Sequence, residues 1–349
     1  MIFAALSAGA LLLAGCTKTE VTEMPDGRAI IFSNFVTNAV KAPVDASGDL
    51  SAFYVYGNYG TEDVFTNQPV NVSWDGGTST CTYTPSKFWV DNQPYYFAAY
   101  SDGNAKLDNS AVTYSQGHLT INYTVGTEAD FEGDLLYAYA DGNGTGYTYD
   151  GTNPMQPVPF TFKHILSKIT FSFTKAADLN GVDLTVTDLK VAANTSGTFT
   201  GTDLSGAAQY PLSAWGTPGT STEVNFDCAS LVLDDANNVT AGMAPVADET
   251  SHVFIPQDVA GYKVKFTVTY DDPTTEAVDS KSLSFDVSIA GTHDGKWNPG
   301  YHYTYTAQIK ASNLDLEPIV FTVTEVSGWT PEPVDDIIGE DEGTAVVIP

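Results

Sequence analysis

Residues 29–37 read AIIFSNFVT, and Ile30, Ile31, Phe32, Phe35 and Val36 within them are all β-branched or aromatic. Such side chains favour a pleated, partly buried strand over a helix. A Gly-containing turn, Asp26–Gly27–Arg28, precedes the stretch, and a Pro-bearing loop from Val40 to Asp45 follows it. A buried strand is therefore expected over Ala29–Thr37. Two roles are open to it: an ordinary first strand at the end of a polar leash, or a strand that can be removed. Basic residues flank it on both sides, Arg28 before and Lys41 after.

Upstream, Ile2–Ala14 is an apolar run ending in small residues before Cys16. At roughly 13 residues it is too short for a stable helix across a hydrocarbon core of about 30 Å, and it fits a signal-peptide h-region. Leu13–Ala14–Gly15–Cys16 has the form of a lipoprotein cleavage box, with Cys16 as the thiol that receives diacylglycerol. No Lys or Arg precedes Cys16, so the basic n-region is expected upstream of Met1. Thr17, in place of Asp after the cysteine, resembles the pattern sent to the outer membrane. Residues 1–16 are thus expected to be the signal peptide and 17–28 a polar leash.

Downstream the chain reads as strands almost throughout. Leu50–Tyr56, Val70–Trp74, Phe88–Val90, Tyr95–Tyr100, Leu119–Val125 and Leu135–Ala140 are short runs bounded by Gly, Asn and Asp. Phe160–Phe162, Lys168–Thr174, Leu184–Val191, Val253–Ile255, Tyr262–Tyr270, Leu283–Ile289, Tyr301–Ile309 and Ile319–Val326 continue the series. This spacing, with turn residues between the runs, is that of β-sandwiches. No segment sustains a 3.6-residue period, although one helical turn is expected at His164–Lys168. Three prolines in the six residues from Pro154 to Pro159 interrupt the pattern. They divide the body into 29–158 and 159–330, each about the length that one sandwich needs. Residues 331–349 differ again: six acids, no base, and two apolar islands, Ile337–Ile338 and Ala345–Ile348.

The chain carries a net charge of −29 and a single arginine, Arg28. No basic patch can form on such a chain, which argues against nucleic acid and against an anionic membrane surface. Hydrophobic residues make up 42 %, enough for a core, so the charge does not imply disorder. With Cys16 lipidated, Cys81 and Cys228 remain, and separate thiols fit better than a bridge.

No catalytic constellation emerges, and no enzyme is expected. His118, His164, His252, His293 and His302 are scattered without metal-ligand spacing, and neither a metal nor a cofactor is called for. Asp141–Gly146 (DGNGTG) opens like a calcium loop but lacks the terminal bidentate Glu, and the same residues suit a plain β-turn. Trp74, Trp89, Trp215, Trp297 and Trp329 are candidates for stacking on sugars or for the core.

Four stretches together resemble the fimbrillin family of Bacteroidales, the type V pilins and Mfa-like surface lipoproteins. They are the box Leu13–Cys16; Phe88–Tyr100 (FWVDNQPYYFAAY); Asp134–Tyr137 with Phe160–Phe173; and Trp297–Ile309 followed by Ile319–Trp329. The resemblance implies two transthyretin-like β-sandwiches in tandem. It also implies a fimbrial subunit at the outer membrane and cell surface that supports adhesion through a host protein or glycan receptor. In that family a protease removes the first strand, and a neighbouring fimbrial subunit's strand fills the groove. The matching cut falls after Lys41, where arginine is commoner; Arg28 is the poorer candidate, since cutting there leaves the strand in place. The tail 331–349 would be the donor, with Ile337, Ile338, Val346, Val347 and Ile348 as its apolar anchors. The alternative within the family is a non-polymerising surface lipoprotein, a pilus anchor or a glycan- or host-ligand-binding module.

Overall fold

The computed structural model describes residues 28–36, 50–75, 78–128, 133–152, 154–201, 211–216, 219–226, 231–233, 251–271, 280–289, 292, 294–315 and 317–327. The first ten strands are β1 (Phe32–Val36), β2 (Ala52–Tyr59), β3 (Glu62–Asp75), β4 (Thr78–Thr82), β5 (Pro94–Asp102), β6 (Val112–Ser115), β7 (His118–Thr124), β8 (Leu135–Ala140), β9 (Tyr147–Thr148) and β10 (Val158–His164). Then come β11 (Ser167–Lys175), β12 (Leu184–Asn194), β13 (Ser196–Thr200), β14 (Ser221–Asn225), β15 (Leu231–Leu233), β16 (Ser251–Phe254), β17 (Gln257–Asp258), β18 (Lys263–Asp271), β19 (Ser280–Ser288), β20 (Lys296–Trp297), β21 (Tyr301–Ile309) and β22 (Phe321–Ser327). The one α-helix among the described residues is α1, a single turn at Ala311–Leu314. The chain is all-β, as its turn spacing predicts.

The first sheet runs β1-β10-β8-β5-β2-β3-β4, with β9 on β5. It curls until its ends meet, so that the Cys81 thiol on β4 donates to Asn34 Oδ1 on β1 across 3.6 Å. Phe53, Val55, Phe65, Tyr95, Phe97, Leu136, Phe160 and Phe162 fill the inside. The outside of the same sheet is covered too. A three-stranded sheet, β13-β7-β6, lays Leu119, Ile121 and Phe199 over Tyr56, Ala98, Tyr100, Leu135 and Tyr137. A strand covered on both faces has no polar side to show, which is why Tyr95–Tyr100 (YYFAAY) reads as one apolar run.

The third core lies between a four-stranded sheet, β16-β11-β21-β22, and a five-stranded one, β14-β12-β18-β19 with β15 on β12. Phe171, Phe173, Tyr303 and Tyr305 come from one side and Val186, Val191, Phe266 and Phe285 from the other. The passage between cores falls at Ile165–Leu166, both fully buried. His164 closes β10 and Ser167 opens β11, so the helical turn expected at His164–Lys168 does not form. The Ile165 N–H donates to Leu135 O instead, which keeps the chain extended. Phe88–Val90, expected as a strand, provides only an isolated bridge from Phe88 to Ala29. β13 pairs back onto β7 through Ser196–Thr200, tying sequence-distant halves together.

Candidate functional site: the first strand and its groove

The first strand is held by two different partners. β1 runs parallel to β10, with Phe32 opposite Val158 and Val36 opposite Phe162. Just before it, the chain turns to residues 87–89: Ile30 N–H donates to Lys87 O and Trp89 N–H to Arg28 O, both at 2.9 Å. Tyr83 adds a hydroxyl bond to Ile30 O at 2.6 Å, and Val158 N–H reaches Ile31 O at 2.9 Å. Main-chain groups on both sides of residues 28–32 are thus satisfied by protein, as buried backbone requires.

Alternation decides which side chains enter the groove. Ile30 and Phe32 point inward and are 1 % and 5 % exposed, while Ile31 faces solvent at 44 %. Phe32 sits in a cage of five rings: Phe160 stacks at 5.5 Å between centroids, and Phe53, Phe65, Tyr83 and Phe97 lie at 5.3–6.5 Å. The backbones of Phe35 and Val36 pair with Thr161 and Phe162. Asn34 is also inward and 9 % exposed. It accepts from the Cys81 thiol, but its own Nδ2 has no hydrogen-bond partner among the described residues. Burial pushes the Cys81 thiol up to about 11 and the Tyr83 hydroxyl up to about 12. Cys81 is a free thiol.

Arg28 anchors the entrance. Its guanidinium donates to Asp91 Oδ1 and lies over the Tyr149 ring, 5.5 Å from the centroid. The candidate scissile bond after Arg28 is therefore embedded in paired backbone. Cys16, Lys41, Cys228, His293, Trp329 and the tail anchors Ile337, Ile338, Val346, Val347 and Ile348 lie outside the described residues.

The other sequence candidates are dispersed. Trp89, Trp215 and Trp297 are 2 %, 5 % and 0 % exposed, so none of these three offers a face to a sugar. Trp215 and Trp297 spend their indole N–H groups on Ile165 O and on the Tyr305 hydroxyl. Asp141–Gly146 closes on itself as a turn, Gly146 N–H donating to Asp141 O at 2.7 Å. Among the described residues no three His, Cys, Asp or Glu side chains gather as a metal site. One buried polar cluster was not legible in the sequence. His164 Nδ1 lies 2.8 Å from Asp134 Oδ1, and neighbouring Asp102 accepts from the Tyr123 hydroxyl and the Asp134 N–H. Burial raises the Asp102 carboxyl. His302 contacts Thr170 Oγ1 at 2.7 Å, and burial, helped by Lys168, lowers its imidazole to about 4.

A fimbrial protein from Bacteroides vulgatus ATCC 8482 superposes with a TM-score of 0.59 at 18 % identity, over 87 % of this chain and 100 % of that one. A candidate cell adhesion protein from Bacteroides uniformis ATCC 8492 gives 0.47 at 18 %, over 88 % and 100 %. A fimbrial assembly protein from Parabacteroides distasonis ATCC 8503 gives 0.39 at 11 %, over 84 % and 99 %. At 18 % identity the likeness to the Bacteroides vulgatus protein is one of fold. A comparison with curated protein sequences returned no match. The model of the fimbrillin-like family matches residues 37–329, most of the chain, and the protein belongs to that family.

Proposed function

We propose that this chain is a structural subunit of a cell-surface fimbria of the type V kind. It is exported as a lipoprotein tethered through Cys16, cut after Lys41 and assembled with other fimbrial subunits by strand complementation, in support of adhesion. The observation that carries this reading is the placement of β1. It is short, lies at the end of its sheet, and is joined to β10 and to residues 87–89 by bonds that any extended segment can replace. Lys41 lies five residues beyond the last residue of β1. A cut there frees residues 29–37, roughly 30 Å of chain when extended. It leaves unpaired N–H and C=O groups beside an apolar trough.

An incoming extended segment satisfies both, which is β-augmentation. Because giving and receiving surfaces differ, such contacts propagate rather than close. The tail Val334–Pro349 spans about 50 Å when extended and offers its apolar islands to a neighbouring subunit. The family and the fimbrial neighbours support partnership with other subunits. No cofactor or catalytic residue enters the proposal.

The test is processing in cells. Lys41→Ala is expected to accumulate as lipid-anchored monomer, and deletion of Gly339–Pro349 to leave a folded monomer that no longer polymerises. Heat-resistant ladders from Lys41→Ala would rule out a removable first strand, and normal polymerisation of the truncated chain would rule out the tail as donor.

A further inference from the structure

The geometry points to a sequence code for the strand that this groove accepts, one that the chain's own tail does not meet. We infer that the groove selects a segment reading basic–x–aliphatic–x–aromatic–x–apolar, supplied by a different protein rather than by a second copy. The inference rests on the reading above, in which β1 leaves. Each position of the code comes from a contact that β1 vacates.

The basic position is that of Arg28. Asp91 and the Tyr149 ring grip its guanidinium, and removing it leaves a carboxylate and a ring face with no cation between them. The aliphatic position is that of Ile30, 1 % exposed within the apolar core, while the Tyr83 hydroxyl donates to its main-chain oxygen and so holds any residue there. The aromatic position is that of Phe32, whose five ring neighbours form a cage that an aliphatic side chain does not fill. The apolar position is that of Asn34, where the resident strand is itself imperfect. This amide is buried and leaves Nδ2 without a partner among the described residues, which is unfavourable in a buried site. An apolar side chain gives up only the weak thiol bond from Cys81 to Oδ1 and removes the unpaired Nδ2, so a foreign strand can outbind the resident one.

Residues 331–349 contain no basic residue and no aromatic one. Laid in this groove, the tail leaves Asp91 unpaired, brings further acids near it and underfills the cage. Its own recipient is then the groove of another subunit, and this chain joins unlike neighbours.

The experiment uses the full-length chain with a site-specific protease sequence replacing Asn38–Lys41, folded and then cut. Fluorescent peptides compete for the groove, read by anisotropy and gel filtration. They are the residue 28–37 sequence, its Arg28→Gln, Phe32→Leu and Asn34→Val forms, and the residue 334–349 sequence. The residue 28–37 peptide is expected to bind at least tenfold tighter than the tail peptide. Arg28→Gln should weaken it about 3- to 10-fold at low salt and hardly at all in 1 M NaCl. Asn34→Val should strengthen it about fivefold or more. Equal or tighter binding of the tail peptide overturns the code while leaving strand exchange standing. A cut protein that keeps its own fragment and takes up no peptide overturns both.

Discussion

Phe32→Ala is expected to loosen the first strand while leaving the rest of the barrel-like sheet folded. The side chain is 5 % exposed and all five of its ring partners lie on other strands or loops. Truncating a phenylalanine in such a site costs about 3–5 kcal/mol, through lost burial and the cavity left behind. Every contact removed joins β1 to the remainder, so the whole amount comes off the free energy that keeps β1 docked. At 1.4 kcal/mol per decade, the open population rises by two to nearly four orders of magnitude. Cys81 reports the opening, because its thiol faces Asn34 and is held near 11 by burial while β1 is in place. Alkylation of Cys81 at pH 8, followed by peptide mass spectrometry, should therefore accelerate sharply in Phe32→Ala. Ile31→Ala, one residue away but 44 % exposed, should change the rate little. If Phe32→Ala labels Cys81 no faster than Ile31→Ala, the ring cage does not hold the strand and the reasoning fails.

Two further outcomes test other parts of the account. Gly201→Ala should destabilise by about 1–3 kcal/mol, because its Cβ would lie 2.5 Å from Cζ of the buried Tyr137 ring; an unchanged urea midpoint would contradict the packing of β13 over the first sheet. His302 has a folded-state value near 4 against an ordinary 6.5, so the unfolded chain takes up its proton first as pH falls. Stability from this group is complete above about 6.5 and is lost between there and about 4, by roughly 2–3 kcal/mol. Urea titrations at pH 7 and pH 4 should show a smaller loss for His302→Gln than for the parent, and parallel losses would refute the assignment.

Much of the fold was legible because turn residues and alternation coincide. Leu135–Ala140 and Tyr301–Ile309 are strands with the bounds that the sequence predicts. The first half of β3 was hidden, since Asn67 takes a positive φ and Pro69 interrupts the donor pattern, yet the strand continues through both. β4, β13 and β14 (TSTCT, SGTFT and STEVN) are rich in Ser and Thr and have too few apolar positions to show a period. At the site, Ile30 and Phe32 follow from alternation, and so does the outward face of Ile31. Their partners do not, because β10 pairs in parallel from more than a hundred residues away. Nor does any local pattern show that Asp91 and Tyr149 hold Arg28, since only the fold brings these three loops together.

The most direct test is the identity of the first residue of the assembled protein at the cell surface. N-terminal sequencing of fimbriae sheared from cells should give Ala42, the residue after Lys41, with residues 29–37 absent from the mature subunit. An assembled subunit beginning at lipid-bearing Cys16, or at Ala29 with its first strand intact, would contradict the account.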